Sequence, residues 1–174
     1  MKVREAVAGD AEAIAKVSVD CWKTTYKGIV PTTYLKNMSY AKRYKKWKKQ
    51  ILIEDVQTYV GQKENGEVVG FCDGGPVRKE NLHETFELYA IYILEKAQGQ
   101  GIGKSLLYQL VSDMTDRGYK HMIVWVLEKN DYRRFYEKLK GRLYGKDEIT
   151  LEGERLPMVA YTFSDLSALR KNLL

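Results

Sequence analysis

The chain has 174 residues, 44% of them hydrophobic, with three prolines and fourteen glycines, a composition that fits a folded globular domain and excludes a disordered or fibrous one. No stretch approaches the roughly 18 consecutive apolar residues of a membrane helix, and two cysteines and two histidines without ligand spacing exclude a disulfide framework or a zinc site. The net charge of +6 is local: residues 42–49 hold six of the 29 basic residues and the remaining 23 match the 23 acidic ones, which argues against a nucleic-acid coat over the whole surface.

In chain order, residues 2–7 read as a first strand, and Asp10 is placed to cap a helix with Ile14, Val17, Cys21 and Trp22 on its apolar side. Pro31 suits the first turn of a second helix. Along it Tyr40, Tyr44, Trp47 and Ile51 form one apolar stripe, with the lysines on the other faces. That stripe is a candidate core face and also a candidate dimer contact. Residues 56–63 and 68–73 around Asn65-Gly66 predict a hairpin, ended by Gly74-Gly75-Pro76. A strand over 87–93 leads into a glycine loop, then a helix over about 101–117 stopped by Gly118. A strand over 121–127 and a short helix over 131–139 follow. Residues 146–151 and 156–163 predict a closing hairpin, and Ser164 a cap for a C-terminal helix. With no repeat or linker, this is one α/β domain over residues 1–174, its strands and helices mixed. The first residues carry charge with no apolar run behind them, so no signal peptide is expected. The expected setting is the cytoplasm, with no membrane partner.

The chemistry begins at Gln98-Gly99-Gln100-Gly101-Ile102-Gly103-Lys104-Ser105. A glycine-rich turn from strand to helix converges backbone N–H groups on an anion, and the helix dipole adds partial positive charge. Diphosphate is the usual ligand of such a turn. A P-loop would need Gly where Gln98 stands. A dinucleotide fingerprint would need Gly at Lys104 or Leu106. A nucleotide hydrolase is therefore disfavoured. What fits is Gln/Arg-x-x-Gly-x-Gly/Ala, supplied by Gln98, Gly101 and Gly103.

In that pattern the sequence resembles the GNAT superfamily of N-acetyltransferases, whose pyrophosphate-binding turn it is. The stretch from Asn130 through Phe135-Tyr136-Glu137-Lys138-Leu139 resembles the family's second motif. The likeness runs from Lys2 to Phe163. Two departures stand out: Glu95-Lys96-Ala97 replaces a Pro that often precedes the loop, and Lys140-Gly141 stands where Gly usually follows Leu.

The resemblance implies a GNAT-like acyl-CoA N-acyltransferase fold, with a central, mostly antiparallel mixed sheet flanked by helices. It implies acetyl-CoA as donor co-substrate, no metal, and direct attack by an amine without an acyl-enzyme. By the same likeness Glu87 is a base acting through a water, with Asp73 and Glu84 in reserve, and Tyr136 donates to the CoA sulfur. Ile91, Tyr92 and Ile93 would offer main-chain groups to the pantetheine arm and Asn130 its side chain. The backbone of 98–104 would hold the diphosphate, with Ser105 in the first helical turn. Trp22, Tyr26 and Asp73 are the candidates for acceptor binding, the acceptor being a primary amine of a small molecule or peptide. The alternative is a non-catalytic module that binds CoA or RNA for regulation, using the basic helix.

Overall fold

The computed structural model describes residues 1–174. Strand β1 (Lys2–Glu5) is followed by helices α1 (Ala11–Thr25), α2 (Thr32–Lys36) and α3 (Tyr40–Gln50). Strands β2 (Gln57–Gln62), β3 (Val68–Pro76) and β4 (Thr85–Ile93) lead to helix α4 (Ile102–Asp116). Then come β5 (His121–Leu127), α5 (Arg134–Lys138), β6 (Arg142–Leu151), β7 (Glu154–Phe163) and α6 (Leu166–Leu173). The strands form one seven-stranded sheet in the order β1-β2-β3-β4-β5-β7-β6, and the only parallel neighbours are β4 and β5. No helix is long and apolar enough to cross a membrane.

Alternating side chains divide the core between the two faces of the sheet. On one face Leu106, Leu107, Leu110 and Met114 of α4, with Leu166, Leu169 and Leu173 of α6, pack on Val69, Cys72 and Leu88. On the other, Ile14, Val17 and Cys21 of α1 and Trp47 of α3 pack on Val60 and Phe71. A third cluster joins Tyr26, Val30 and Leu35 to Leu127 and Leu156, so the turn after α1 meets the closing hairpin.

Four expectations are corrected locally. Asp10 does not cap α1: its carboxylate accepts from Arg4 at 2.7 and 2.9 Å and from the Val7 N–H at 2.8 Å, tying β1 to the first turn. The second helix is two helices, because Ser39 is extended and its Oγ accepts from the Lys42 N–H, starting α3 afresh. The restart sets which face is buried. Trp47 is enclosed and Arg43, Gln50 and Ile51 are half-buried beside it, while Tyr40 and Tyr44 are exposed. Both hairpin strands at the C-terminal end begin earlier than their polar residues suggested, β6 at Arg142 and β7 at Glu154. Helix α6 is capped by Asp165, whose side chain accepts from the Ala168 N–H, not by Ser164.

Candidate active site

The parallel pair creates the site. Strand β4 pairs with β5 only from Thr85 to Leu88, opposite His121 to Val124, although it stays paired with β3 as far as Ile93. The β3–β4 register shifts at Asp73/Gly74, so that Tyr89 is an extra residue between Leu88 and Ala90. A bulge of this kind bends its strand. Beyond it β5 pairs only with β7, and the two parallel strands part. Between them lies a cavity of about 430 Å³, walled by Tyr89 to Ile93 of β4 and Val124 to Val126 of β5. That volume suits a small-molecule site.

One end of the cavity is closed by the glycine loop. Gly99 (φ +73°) and Gly101 (φ +79°) are left-handed, and Gly101 is the residue on which α4 begins. A side chain is strained there because Cβ crowds the following carbonyl. At Gly103 the reason for glycine differs: a Cβ would stand 3.3 Å from Ile93 Cδ1, so its absence lets α4 approach β4. The first turn of α4 carries no acidic residue to oppose an anion at the helix N-terminus.

Gln98 uses its side chain rather than only its backbone. Its Nε2 donates to the Ile93 carbonyl at 3.0 Å, and its Oε1 accepts from the Tyr132 hydroxyl at 2.9 Å. Gly99, Gly101, Ile102, Gly103 and Lys104 line the cavity; Gln100 and Ser105 do not. Ser105 Oγ donates to the Gly101 carbonyl at 3.2 Å, and Lys104 Nζ donates to the Asn172 carbonyl at 3.2 Å.

The opposite wall comes from α1, β5 and the turn into α5. Asn130 is buried, and its Oδ1 accepts from the Tyr132 N–H at 3.0 Å, leaving its NH2 group as the donor. Tyr136 lines the cavity, with its ring stacked 6.0 Å from Tyr161. Burial pushes its phenol well above the usual tyrosine value, so it holds its proton at neutral pH. Tyr26 also lines the cavity, its hydroxyl 3.3 Å from that of Tyr92. Trp22 stands behind it, ring centroids 4.6 Å apart, rather than in the wall.

The carboxylates stand apart from this wall, on the α1/α3 face of the sheet. Glu87 is 2% exposed and fully engaged. Its Oε1 accepts from Arg78 Nη2 at 2.6 Å and Nε at 3.2 Å, and its Oε2 accepts from the Arg78 N–H at 3.0 Å. Asp73, equally buried, accepts from Gln50 Nε2 at 3.1 Å through Oδ2, while Oδ1 has no partner. Burial raises its carboxyl to about 7, against the Gln50 hydrogen bond and the charges of Lys46 and Arg78. Its cross-strand partner is Ala90, which lines the cavity. Glu84, the other reserve base, points away: φ is +51° and its carboxylate pairs with Lys120 at 2.7 Å.

Thus Ile91, Tyr92, Ile93, the glycine loop, Asn130, Tyr136 and Tyr26 meet in one wall, while Glu87, Asp73 and Trp22 lie behind it. Sequence reasoning missed Arg78, Tyr89, Trp125 and Tyr132. Tyr132 sits two residues after Asn130, a spacing that could have drawn attention; Arg78 lies in a polar loop without periodicity.

The profile of the Acetyltransferase (GNAT) family matches residues 21–141. The chain is 40% identical over 168 residues to the uncharacterized N-acetyltransferase YuaI of Bacillus subtilis (strain 168), covering 97% of this chain and 95% of that protein. Its fold is shared with ribosomal-protein-alanine N-acetyltransferase from Brucella melitensis, at TM-score 0.74, 20% identity, and 94% and 99% of the two chains. It is shared too with a GNAT superfamily phosphinothricin acetyltransferase from Sinorhizobium meliloti in complex with AcCoA, at TM-score 0.72, 23% identity, and 94% and 88%. The chain belongs to the GNAT family of acetyltransferases.

Proposed function

We propose that this protein transfers the acetyl group of acetyl-CoA to a primary amine of a small molecule or peptide, by direct attack and without an acyl-enzyme. The observation that carries the reading is the single cavity joining the N-terminus of α4 to the parted strands and to Tyr136. The residues present fit the donor. Left-handed Gly99 and Gly101 turn backbone N–H groups toward a diphosphate, and Asn130 and the main chain of Ile91 to Ile93 border a slot for an extended arm. The Sinorhizobium meliloti neighbour was solved with AcCoA, which supports the same ligand. Acetyl-CoA supplies an activated acyl carbon and a thiolate leaving group.

The amine arrives largely as ammonium and must lose a proton before its nitrogen has a lone pair. Glu87 is the proposed acceptor of that proton through one water, held in place by Arg78; Asp73 is the reserve. The Ile91 N–H stabilises charge on the thioester oxygen. As the C–N bond forms and the C–S bond breaks, Tyr136 gives its phenol proton to sulfur and regains one from solvent. The amine's second proton also leaves to solvent. Cys21 lies in the cavity wall, but burial pushes its thiol up to about 12, which supports a route without a thiolate nucleophile. Titration with acetyl-CoA and separately with ATP tests the reading: saturable acetyl-CoA binding is expected, and tight ATP binding with no acetyl-CoA binding would sink it.

A further inference from the structure

Three cations lie on the α1/α3 side of the sheet, outside the cavity lining, and only Arg78 has an anionic partner at hydrogen-bond distance. Arg43, on the inner face of α3, lies 5.4 Å over the ring of Trp22, and its charge acts on the Tyr92 hydroxyl in the wall. Lys46, one turn on, lies near Asp73, Arg43 and Arg78. Lys46 is an exposed residue, yet surrounding protein and then Arg43 hold its ammonium below the usual lysine value. Two cations without an anionic partner at hydrogen-bond distance, beside a third that has only Glu87, favour an added negative charge.

Arg78 is held in place from both sides. Its guanidinium stacks 4.3 Å over Tyr89, the bulged residue of the wall. The loop that carries it is pinned to β6 by a Lys79–Asp147 ion pair and by the Tyr144 hydroxyl donating to Glu80 at 3.0 Å. Only the Nε/Nη2 edge of Arg78 faces Glu87. The side chain is 58% exposed while that of Glu87 is 3% exposed, so the second edge of the fork remains open. A guanidinium edge matches a carboxylate with two parallel hydrogen bonds.

Building on the proposed acetyl transfer, we infer that the acceptor is a small amino acid-like amine whose carboxylate, or an equivalent anionic group, docks on the open edge of Arg78 beside Lys46 and Arg43. The amine, a few bonds away, then lies beside Glu87, which the same arginine holds. Anion recognition and proton removal are thereby set within the reach of one small molecule. Two buried carboxylates alone would have suggested a polyamine, but the three cations beside them oppose a second positive charge on the acceptor.

The test compares kcat/KM for leucine, phenylalanine and glutamate with that for their α-amides, by free-thiol release from acetyl-CoA. The amide's less basic amine is the easier to deprotonate, so a preference for the acid cannot come from the amine itself. At least one acid is expected to exceed its amide by about tenfold or more. That ratio should fall toward one in Arg78→Met and in Lys46→Met, and recover in part in Arg78→Lys, which restores charge without the fork. Thiol release that favours the amides, or that occurs only with spermidine-like polyamines, overturns this inference and leaves amine acetylation standing. No thiol release with any amine, acids, amides and polyamines included, counts against the acetyl-transfer reading instead.

Discussion

Replacing Gly101 with alanine isolates the backbone geometry on which donor binding depends. Nothing lies within 4 Å of a Cβ built there, so the substitution adds no clash; its whole effect comes from φ at +79°. Holding an alanine in the left-handed region costs about 1–2 kcal/mol. Gly118, which ends α4 at φ +94°, has the same open surroundings and the same strain, but it lies at the far end of the helix. Held in its native backbone either variant loses stability, and Gly118→Ala should show that loss in full, lowering Tm by roughly 2–8 °C. Only Gly101→Ala should relieve its strain by turning loop N–H groups away from the diphosphate, weakening acetyl-CoA binding by about 5–30-fold. Isothermal titration and thermal unfolding of the two variants give both readouts. Wild-type affinity in Gly101→Ala, or an equal loss of affinity in Gly118→Ala, would refute the assignment of the loop.

Tyr136→Phe removes one hydroxyl and keeps the ring stacked on Tyr161, so single-turnover kinetics should show acetyl transfer slowed about 10²-fold or more with acetyl-CoA affinity nearly unchanged; an unchanged rate removes Tyr136 as the acid. Asp73 gives a pH signature in unfolding. Its carboxyl is raised from 3.8 to about 7 in the folded protein, so the unfolded chain releases this proton first as pH rises. The stabilisation it confers is complete below the unfolded value and is lost between about pH 4 and pH 7. Asp73→Asn should flatten the fall of Tm across that window, and an identical slope would show that Asp73 does not titrate there. Asp10 acts in the opposite sense, since its hydrogen bonds from Arg4 hold it below the ordinary aspartate value. Its contribution is present above pH 4 and lost on acidification. Arg4→Met should therefore lower Tm at pH 7 more than at pH 3, as a differential scan at the two pH values would reveal.

Local rules carried the sequence reading where local geometry decides structure. The register of glycines in Gln98 to Gly103 separated this turn from two other phosphate-binding turns by single positions, and the structure gives Gly99 and Gly101 positive φ. Strand β5 spans His121 to Leu127 as its apolar run predicts, and Gly118 stops α4. What escaped depends on contacts distant in sequence. The buried face of α3 was set by where Ser39 restarts the helix and by how α3 lies on α1, not by the aromatic spacing. Glu87 reads as a free strand-end base until Arg78, nine residues earlier in a loop with no pattern, closes over it. Ser105 suggested a phosphate contact by its position, yet its hydroxyl turns back onto the helix carbonyl of Gly101, a common resting place for serine in a helix. The parting of β4 from β5 needs the bulge at Tyr89, and a one-residue register shift between paired strands leaves no mark in either strand alone.

Amine-dependent release of free thiol from acetyl-CoA, followed with a panel of small amines and confirmed by the mass of the product, is the decisive measurement of acetyl transfer. Release should require the amine, slow strongly without the Tyr136 hydroxyl, and leave the amine heavier by one acetyl group. Saturable acetyl-CoA binding with no amine-dependent thiol release from any member of the panel would contradict it, and would make the domain a CoA-binding module rather than a transferase.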